Sequence, residues 1–259
     1  MSDMDDAASQ WDRLASIYDE LTPVSERFLD TEGCVDFLAA LASHGRALEL
    51  GIGSGRVALP LARRGVSVDG IDLSPRMVAR LRSKPGAECV RVSIGDFADV
   101  AVEGVFSLVY TVFTTFFNLT TQDDQLRCFR NVADRLSEGG AFVVEADVPD
   151  PEGFVAGRRL DVTHLDSSQV LLSAVIYQRA SQIEESQLLV LSEKGLELFP
   201  IRVRYAWPSE LDLMARLAGL ELRERWSDWR RRPFDEDSRR HVSVYARPDG
   251  STQGGATPR

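Results

Sequence analysis

Glu49-Leu50-Gly51-Ile52-Gly53-Ser54-Gly55-Arg56 (residues 49–56) is the stretch that decides the fold. It follows the apolar run Ala47 to Leu50 and precedes Val57, Leu61 and Ala62 at helical spacing, so it reads as strand, glycine loop, helix. Glycines let a backbone turn tightly and approach a ligand closely. The dinucleotide fingerprint G-x-G-x-x-G fails because position 56 is Arg, and the Gly-Lys-Ser/Thr of a Walker loop is absent. What remains is E-x-G-x-G-x-G, an acid two residues ahead of three alternating glycines.

Outward from the loop, strands and helices alternate from about Gly45 to Ala146. Val66 to Ile71 reads as the second strand, and Ser74-Pro75 supplies an N-cap and a first-turn proline for a helix through Met77 and Leu81. Cys89 to Val92 and Phe106 to Thr111 read as the third and fourth strands. Thr121 with Asp124 resembles a capping box opening a helix with the stripe Leu126, Phe129, Ala133 and Leu136. After Gly139-Gly140 the fifth strand is expected over Ala141 to Ala146. Such alternation predicts a doubly wound, mostly parallel α/β sheet with helices on both faces.

From about Arg159 to Trp207 the chain reads as β segments without an intervening helix. Phe199, Ile201, Val203, Tyr205 and Trp207 are apolar at every second position. A short helix from Pro208-Ser209 ends at Gly219, and Leu220 to Trp226 with His241 to Ala246 form a final strand pair. The expectation is one domain over 10–247, with a nucleotide-type core at 45–147 and a β insertion at 159–207. The polar, glycine-rich ends 1–9 and 248–259 are expected to be disordered.

Two further acids stand where such sheets bind ligands, at the carboxyl ends of adjacent strands. Asp72 ends strand two and can accept from both hydroxyls of a ribose; Asp96, followed by Phe97, ends strand three and can accept from an adenine amino group. Together these residues resemble the class I methyltransferases, closely over 45–147 and loosely over the whole chain. The resemblance implies the Rossmann-like fold of that family, seven strands with an antiparallel last one, and S-adenosylmethionine as cofactor. In that family the glycine loop holds the methionine part, the strand-two acid the ribose and the strand-three acid the adenine. By position these roles fall on Glu49, Gly51, Gly53 and Gly55, on Asp72, and on Asp96, with Leu73, Met77, Phe97 and Thr111 beside them. The N-terminal helix carrying Tyr18-Asp19 and the β insertion are similar to several members that methylate amino groups on sugars or amino acids, or hydroxyls of natural products. The resemblance makes Trp11 to Asp19 a helical lid with Tyr18 closing over the cofactor, or a helix-packing tyrosine. Arg56 is placed to pair with the cofactor carboxylate, or to lie on the surface.

Methyl transfer from a sulfonium is an in-line displacement that needs alignment more than an elaborate catalytic set. A hydroxyl or protonated amine also needs a base. His241, at the start of the last strand, ranks first and His164, in the insertion, second. His44 is expected away from the site. Glu145 and Asp147 follow strand five at the same edge; either can bind an amine, or Glu145 can satisfy backbone contacts instead. The aromatic run Tyr110 to Asn118 after strand four suits a small organic acceptor or core packing.

A net charge of −10, from 40 acidic against 30 basic residues, speaks against nucleic acid as substrate, and Arg230 to Arg232 sit beside Asp235 to Asp237. No run approaches the ~18 apolar residues of a membrane span. Three dispersed cysteines, Cys34, Cys89 and Cys128, without a C-x-x-C pair, read as reduced thiols in a cytoplasmic protein, and no metal-ligand cluster is apparent. Two rival functions are a same-fold enzyme using bound S-adenosylmethionine for a pericyclic or isomerising step, and a nucleotide-cofactor oxidoreductase or binding module. A homodimer through the β insertion stays open.

Overall fold

The computed structural model describes residues 10–19, 30–42, 45–150 and 153–248. The expected tails at 1–9 and beyond 248, and His44, lie outside them. A helix α1 (Thr31–Ala42) leads into β1 (Arg46–Leu50), and α2 (Ala58–Arg63), β2 (Ser67–Asp72), α3 (Pro75–Arg82) and β3 (Val90–Ile94) follow. Then come β4 (Phe106–Thr111), α4 (Gln122–Arg135) and β5 (Leu136–Asp147). Ser74 caps α3 by accepting from Met77 N, and Thr121 caps α4 by accepting from Asp124 N at 3.1 Å. Both are short polar side chains meeting otherwise orphaned N–H groups.

After β5 the chain forms β6 (Arg158–Leu165), β7 (Gln169–Gln178), β8 (Ile183–Ser192) and β9 (Gly195–Arg204), then α5 (Pro208–Leu217), β10 (Glu221–Trp226) and β11 (Arg240–Ala246). The main sheet has seven strands in the order β10-β11-β5-β4-β1-β2-β3. Its neighbours pair in parallel except for β11, antiparallel to both β5 and β10. The order reverses between β1 and β4, which opens a crevice beyond their carboxyl ends.

One buried cluster lies under α4 and α5, around Phe106, Phe116, Phe129, Phe142 and Tyr245. A second lies on the opposite face, around Phe37, Leu38, Leu61 and Val143. Ridges of buried side chains on both faces are what a doubly wound sheet requires.

β6 to β9 form a separate antiparallel sheet, as the period-two pattern predicts. The cross-strand row Val175, Ser186 and Ile201 belongs to the face turned to the core, which also carries buried Leu171, Val190 and Phe199. Residues 10–14 are helical and pack Leu14 against Leu171, Val190 and Phe199. Arg13 Nη2 donates to Leu198 O, and Arg202 N donates to Gln10 Oε1. The N-terminal segment therefore joins the insertion sheet to the main domain.

Strand five differs from expectation. It begins at Leu136, directly after α4, and includes Gly139 and Gly140. Leu136 continues the apolar stripe of α4 but has β dihedrals (φ −74°, ψ 132°). Its burial served the sheet, not the helix.

Candidate active site

The glycine loop turns at the end of β1 with Gly51 at φ +70°. Gly51 N and Ile52 N both donate to Ile71 O, which holds the loop against the end of β2. A Cβ at position 51 would stand 2.3 Å from Thr115 Cγ2, so only glycine lets the post-β4 loop approach this closely. Asp72 accepts from Gly53 N at 2.7 Å and from Ser74 N at 2.8 Å. One carboxylate thus ties the glycine loop to the cap of α3. Burial raises its pKa, against the pull of those N–H donors.

Over the loop lies a crevice of about 140 Å³. Tyr18, Gly51, Gly53, Asp72, Leu73, Met77, Asp96 and Phe97, all expected from sequence, line it. Asp96 accepts from Ala98 N at 2.8 Å and has Arg127 Nη2 3.8 Å from its other oxygen. Glu49, Gly55, Arg56 and Thr111 do not line this crevice. Gly55 packs against Leu81 and Leu59 instead.

Glu49 lies beneath the loop, buried, accepting from Tyr110 OH at 3.0 Å. Burial pushes its pKa up to about 8. Thr111 is fully buried with its Oγ1 unpartnered. Arg56 Nη2 donates to Tyr18 OH at 2.8 Å, and its guanidinium stacks 5.1 Å from the Tyr18 ring and 4.6 Å from the Phe113 ring. Its Nε and Nη1 are buried without a hydrogen-bond partner. Unmet donors of a buried guanidinium cost free energy that an incoming carboxylate would recover.

The segment carrying Tyr18 is latched down by charge. Asp19 accepts from Ser54 Oγ at 2.9 Å and from Arg80 Nε at 3.0 Å, with Lys84 Nζ at 2.9 Å. Asp12 accepts from Ser74 Oγ and, at 3.2 Å, from Arg76 N. Seven other lining residues were not singled out for the cofactor by sequence: Trp11, Phe113, Thr115, Asn118, Leu119, Thr120 and Asp124. Five of them come from the run after β4 and its continuation, where aromatic content was the available signal.

None of the expected bases reaches the crevice. His241 pairs with Ala146 at the end of β5, as its topology requires, but its ring is completely buried. It shares a strand face with Ser243 and Tyr245. Its Nδ1 lies 2.8 Å from Ser243 Oγ, while Tyr245 OH reaches Asp212 on α5. Burial, reinforced by Arg225, drives its pKa down to about 3. His164 pairs locally with Asp166, Nε2 to Oδ2 at 2.7 Å, in the insertion sheet.

Glu145 is fully buried and accepts from Phe113 N. Arg240 Nε lies 3.0 Å from its other oxygen and 3.2 Å from the exposed Asp147. Burial pushes the pKa of Glu145 up to about 7. Among the described residues no His/Cys/Asp/Glu cluster could hold a metal, and no helix is long and apolar enough to cross a membrane.

Glu49 gives a pH prediction. A carboxyl whose folded pKa lies above its unfolded value of 4.5 contributes stability below that value and loses it as pH rises to about 8. Glu49→Gln keeps an acceptor for Tyr110 and removes the titration. The variant is expected to melt higher than wild type at pH 8, by on the order of 2 kcal/mol in stability. At pH 4 the two should be much closer. Melting curves across this range check it, and parallel pH profiles would show that Glu49 does not titrate as stated.

A crevice at the strand-order reversal, with a glycine loop bonded through Asp72 and a second acid at β3, is the setting expected of a class I S-adenosylmethionine-dependent methyltransferase, and the chain belongs to that family. A methyltransferase-domain family model matches residues 47–140. The chain is 30% identical over 203 residues to the cypemycin N-terminal methyltransferase of a Streptomyces species, spanning 77% of this chain and 82% of that one. It is 40% identical to the CcbJ methyltransferase of Streptomyces caelestis, whose structure superposes with a TM-score of 0.89 over 94% of this chain and 99% of that one. An S-adenosylmethionine-dependent methyltransferase from Clostridium acetobutylicum, 14% identical, shares the fold with a TM-score of 0.78 over 90% and 99% of the two chains.

Proposed function

We propose that the protein transfers a methyl group from S-adenosylmethionine to an amino group of a natural product. Asp72 would hold the ribose, Asp96 with Phe97 and Met77 the adenine, and Arg56 the carboxylate, with Tyr18 over the crevice. The bound cofactor supplies an activated sulfonium methyl for in-line displacement. The chain's part is to align the acceptor and exclude water.

The acceptor site is assigned to a second cavity, of about 700 Å³, between the N-terminal segment and the insertion sheet. Gln10, Arg13, Val175, Ser186 and Ile201 line it, and Thr120 lines both this cavity and the cofactor crevice. Its size is within the range of about 300–1,000 Å³ that accommodates drug-sized molecules.

The observation that carries the choice of nitrogen is the lining itself. Among the described residues, no histidine or cysteine lines either space, Tyr18 is the one tyrosine, and the lining carboxylates are each engaged, Asp72 and Asp96 by backbone N–H donors, Asp124 by Arg127 and Glu185 by Arg202. Burial raises the Tyr18 pKa still further from neutrality. A hydroxyl must lose its proton to a base as it attacks, whereas an alkyl amine is present in part as free base near neutral pH. The N-terminal methyltransferase among the relatives, which takes an amine by its name, supports the same choice.

The experiment pairs acceptors that differ only in amine against hydroxyl and follows S-adenosylhomocysteine release by mass spectrometry. Release with the amine, rising with pH as the free base increases, is the expected result. Turnover of the hydroxyl partner alone would overturn the nitrogen assignment.

A further inference from the structure

The post-β4 loop contains two successive non-glycine residues in the left-handed region, Phe113 at φ +55° and Thr114 at φ +60°. Side chains with a Cβ rarely adopt this conformation, and two in succession persist only where neighbouring groups hold them. A single residue holds both. The Glu145 carboxylate accepts from Phe113 N, and the Glu145 carbonyl accepts from Thr114 N at 3.3 Å. Thr114 Oγ1 in turn accepts from Asp147 N at 3.2 Å, so the end of β5 holds the elbow at Asp147 as well as at Glu145. The two consecutive N–H groups thus meet two different oxygens of Glu145, one on its side chain and one on its backbone.

This elbow leads straight to the site. Phe113 lines the cofactor crevice and presents its ring to the Arg56 guanidinium at 4.6 Å, while Thr115 abuts Gly51. Asn118 and Thr120, further along the same loop, line the crevice as well. We propose that Glu145 is a positioning residue: it clamps the left-handed elbow at Phe113–Thr114 and thereby sets the crevice wall that holds Arg56 toward the cofactor carboxylate. One carboxylate oxygen accepts from the Phe113 amide, the other is buried in an ion pair with Arg240 without a hydrogen bond, and Glu145 does not line either cavity. It acts on the reaction through the loop, with no proton taken from the acceptor. The inference rests on the methyltransferase reading and deepens it.

Calorimetric titration with S-adenosylmethionine and steady-state rates on Glu145→Gln, Glu145→Ala and Glu145→Ala/Thr114→Gly test it. The glutamine oxygen still accepts from Phe113 N, so Glu145→Gln is expected within about threefold of wild type in both Kd and kcat. Glu145→Ala is expected to bind S-adenosylmethionine about tenfold or more weakly. Glycine at 114 relieves one left-handed residue, so the double variant is expected to regain about threefold or more of that affinity.

A loss of about 100-fold in kcat with unchanged Kd in Glu145→Gln would make Glu145 a base and overturn the proposal. Wild-type affinity in Glu145→Ala, equal weakening in Gln and Ala, or no recovery in the double variant would also overturn it. If Glu145→Ala does not fold, the comparison of Glu145→Gln/Thr114→Gly with Glu145→Ala/Thr114→Gly reads the same difference. Wild-type protein that binds no S-adenosylmethionine would remove the methyltransferase reading itself, an outcome separate from any ranking among the variants.

Discussion

Asp72→Ala is expected to weaken S-adenosylmethionine binding by about 100-fold, close to 3 kcal/mol. Two effects add. The carboxylate orients the loop and the α3 cap through its bonds to Gly53 N and Ser74 N, and it also faces the crevice where the ribose would lie. Hydrogen bonds to a charged group contribute about 1.5–3 kcal/mol each, more than neutral ones. The alanine variant loses the ribose contacts and leaves two N–H groups without their acceptor. Asp72→Asn keeps the shape but accepts through one oxygen only, and an intermediate loss of about tenfold is expected. Titration calorimetry reads both, with circular dichroism to verify folding. An alanine variant within about threefold of wild type would remove Asp72 from the ribose site.

Arg56→Ala is expected to weaken S-adenosylmethionine binding by about 30-fold while leaving 5′-methylthioadenosine, which has no carboxylate, within about threefold of wild type. The selectivity follows from the two buried, unpartnered donors on Arg56 Nε and Nη1. Those atoms have most to gain from a carboxylate, and the flanking Tyr18 and Phe113 rings fix the plane in which it would be met. Arg56→Lys retains the charge without the planar fork and is expected to recover only part of the loss. Equal loss for both ligands would mean that Arg56 serves the packing of Tyr18 and Phe113 and nothing more.

Most of the fold was legible because its signals are local. The Ser74 and Thr121 caps and the alternation from Gly45 to Ala146 each rest on a few neighbouring residues, and so does the period-two pattern of the insertion. Leu136 was misplaced because one buried leucine satisfies a helical stripe and a strand equally well. Only the backbone turn after Arg135 separates them.

The site divides the same way. Asp72, Asp96 and the glycines belong to short motifs at strand ends, so their place in the crevice could be expected from order alone. Trp11, Phe113 and Thr120 reach it through tertiary packing of separate segments, which no local pattern records. His241 shows the limit of topology. Its place at the start of β11, second after Arg240, fixes its height at the crevice end of the sheet, but not its face, and its face is the one closed by α5. Glu145 was read from the sequence as an amine ligand or a backbone acceptor; in the structure one carboxylate oxygen accepts from Phe113 N and the other pairs with Arg240.

The most direct test of the central claim is calorimetric titration of the wild-type protein with S-adenosylmethionine and, separately, with NADH. The account predicts micromolar binding of S-adenosylmethionine and none of NADH, since Arg56 stands where the dinucleotide fingerprint needs its third glycine. Binding of NADH by folded protein that ignores S-adenosylmethionine would contradict it.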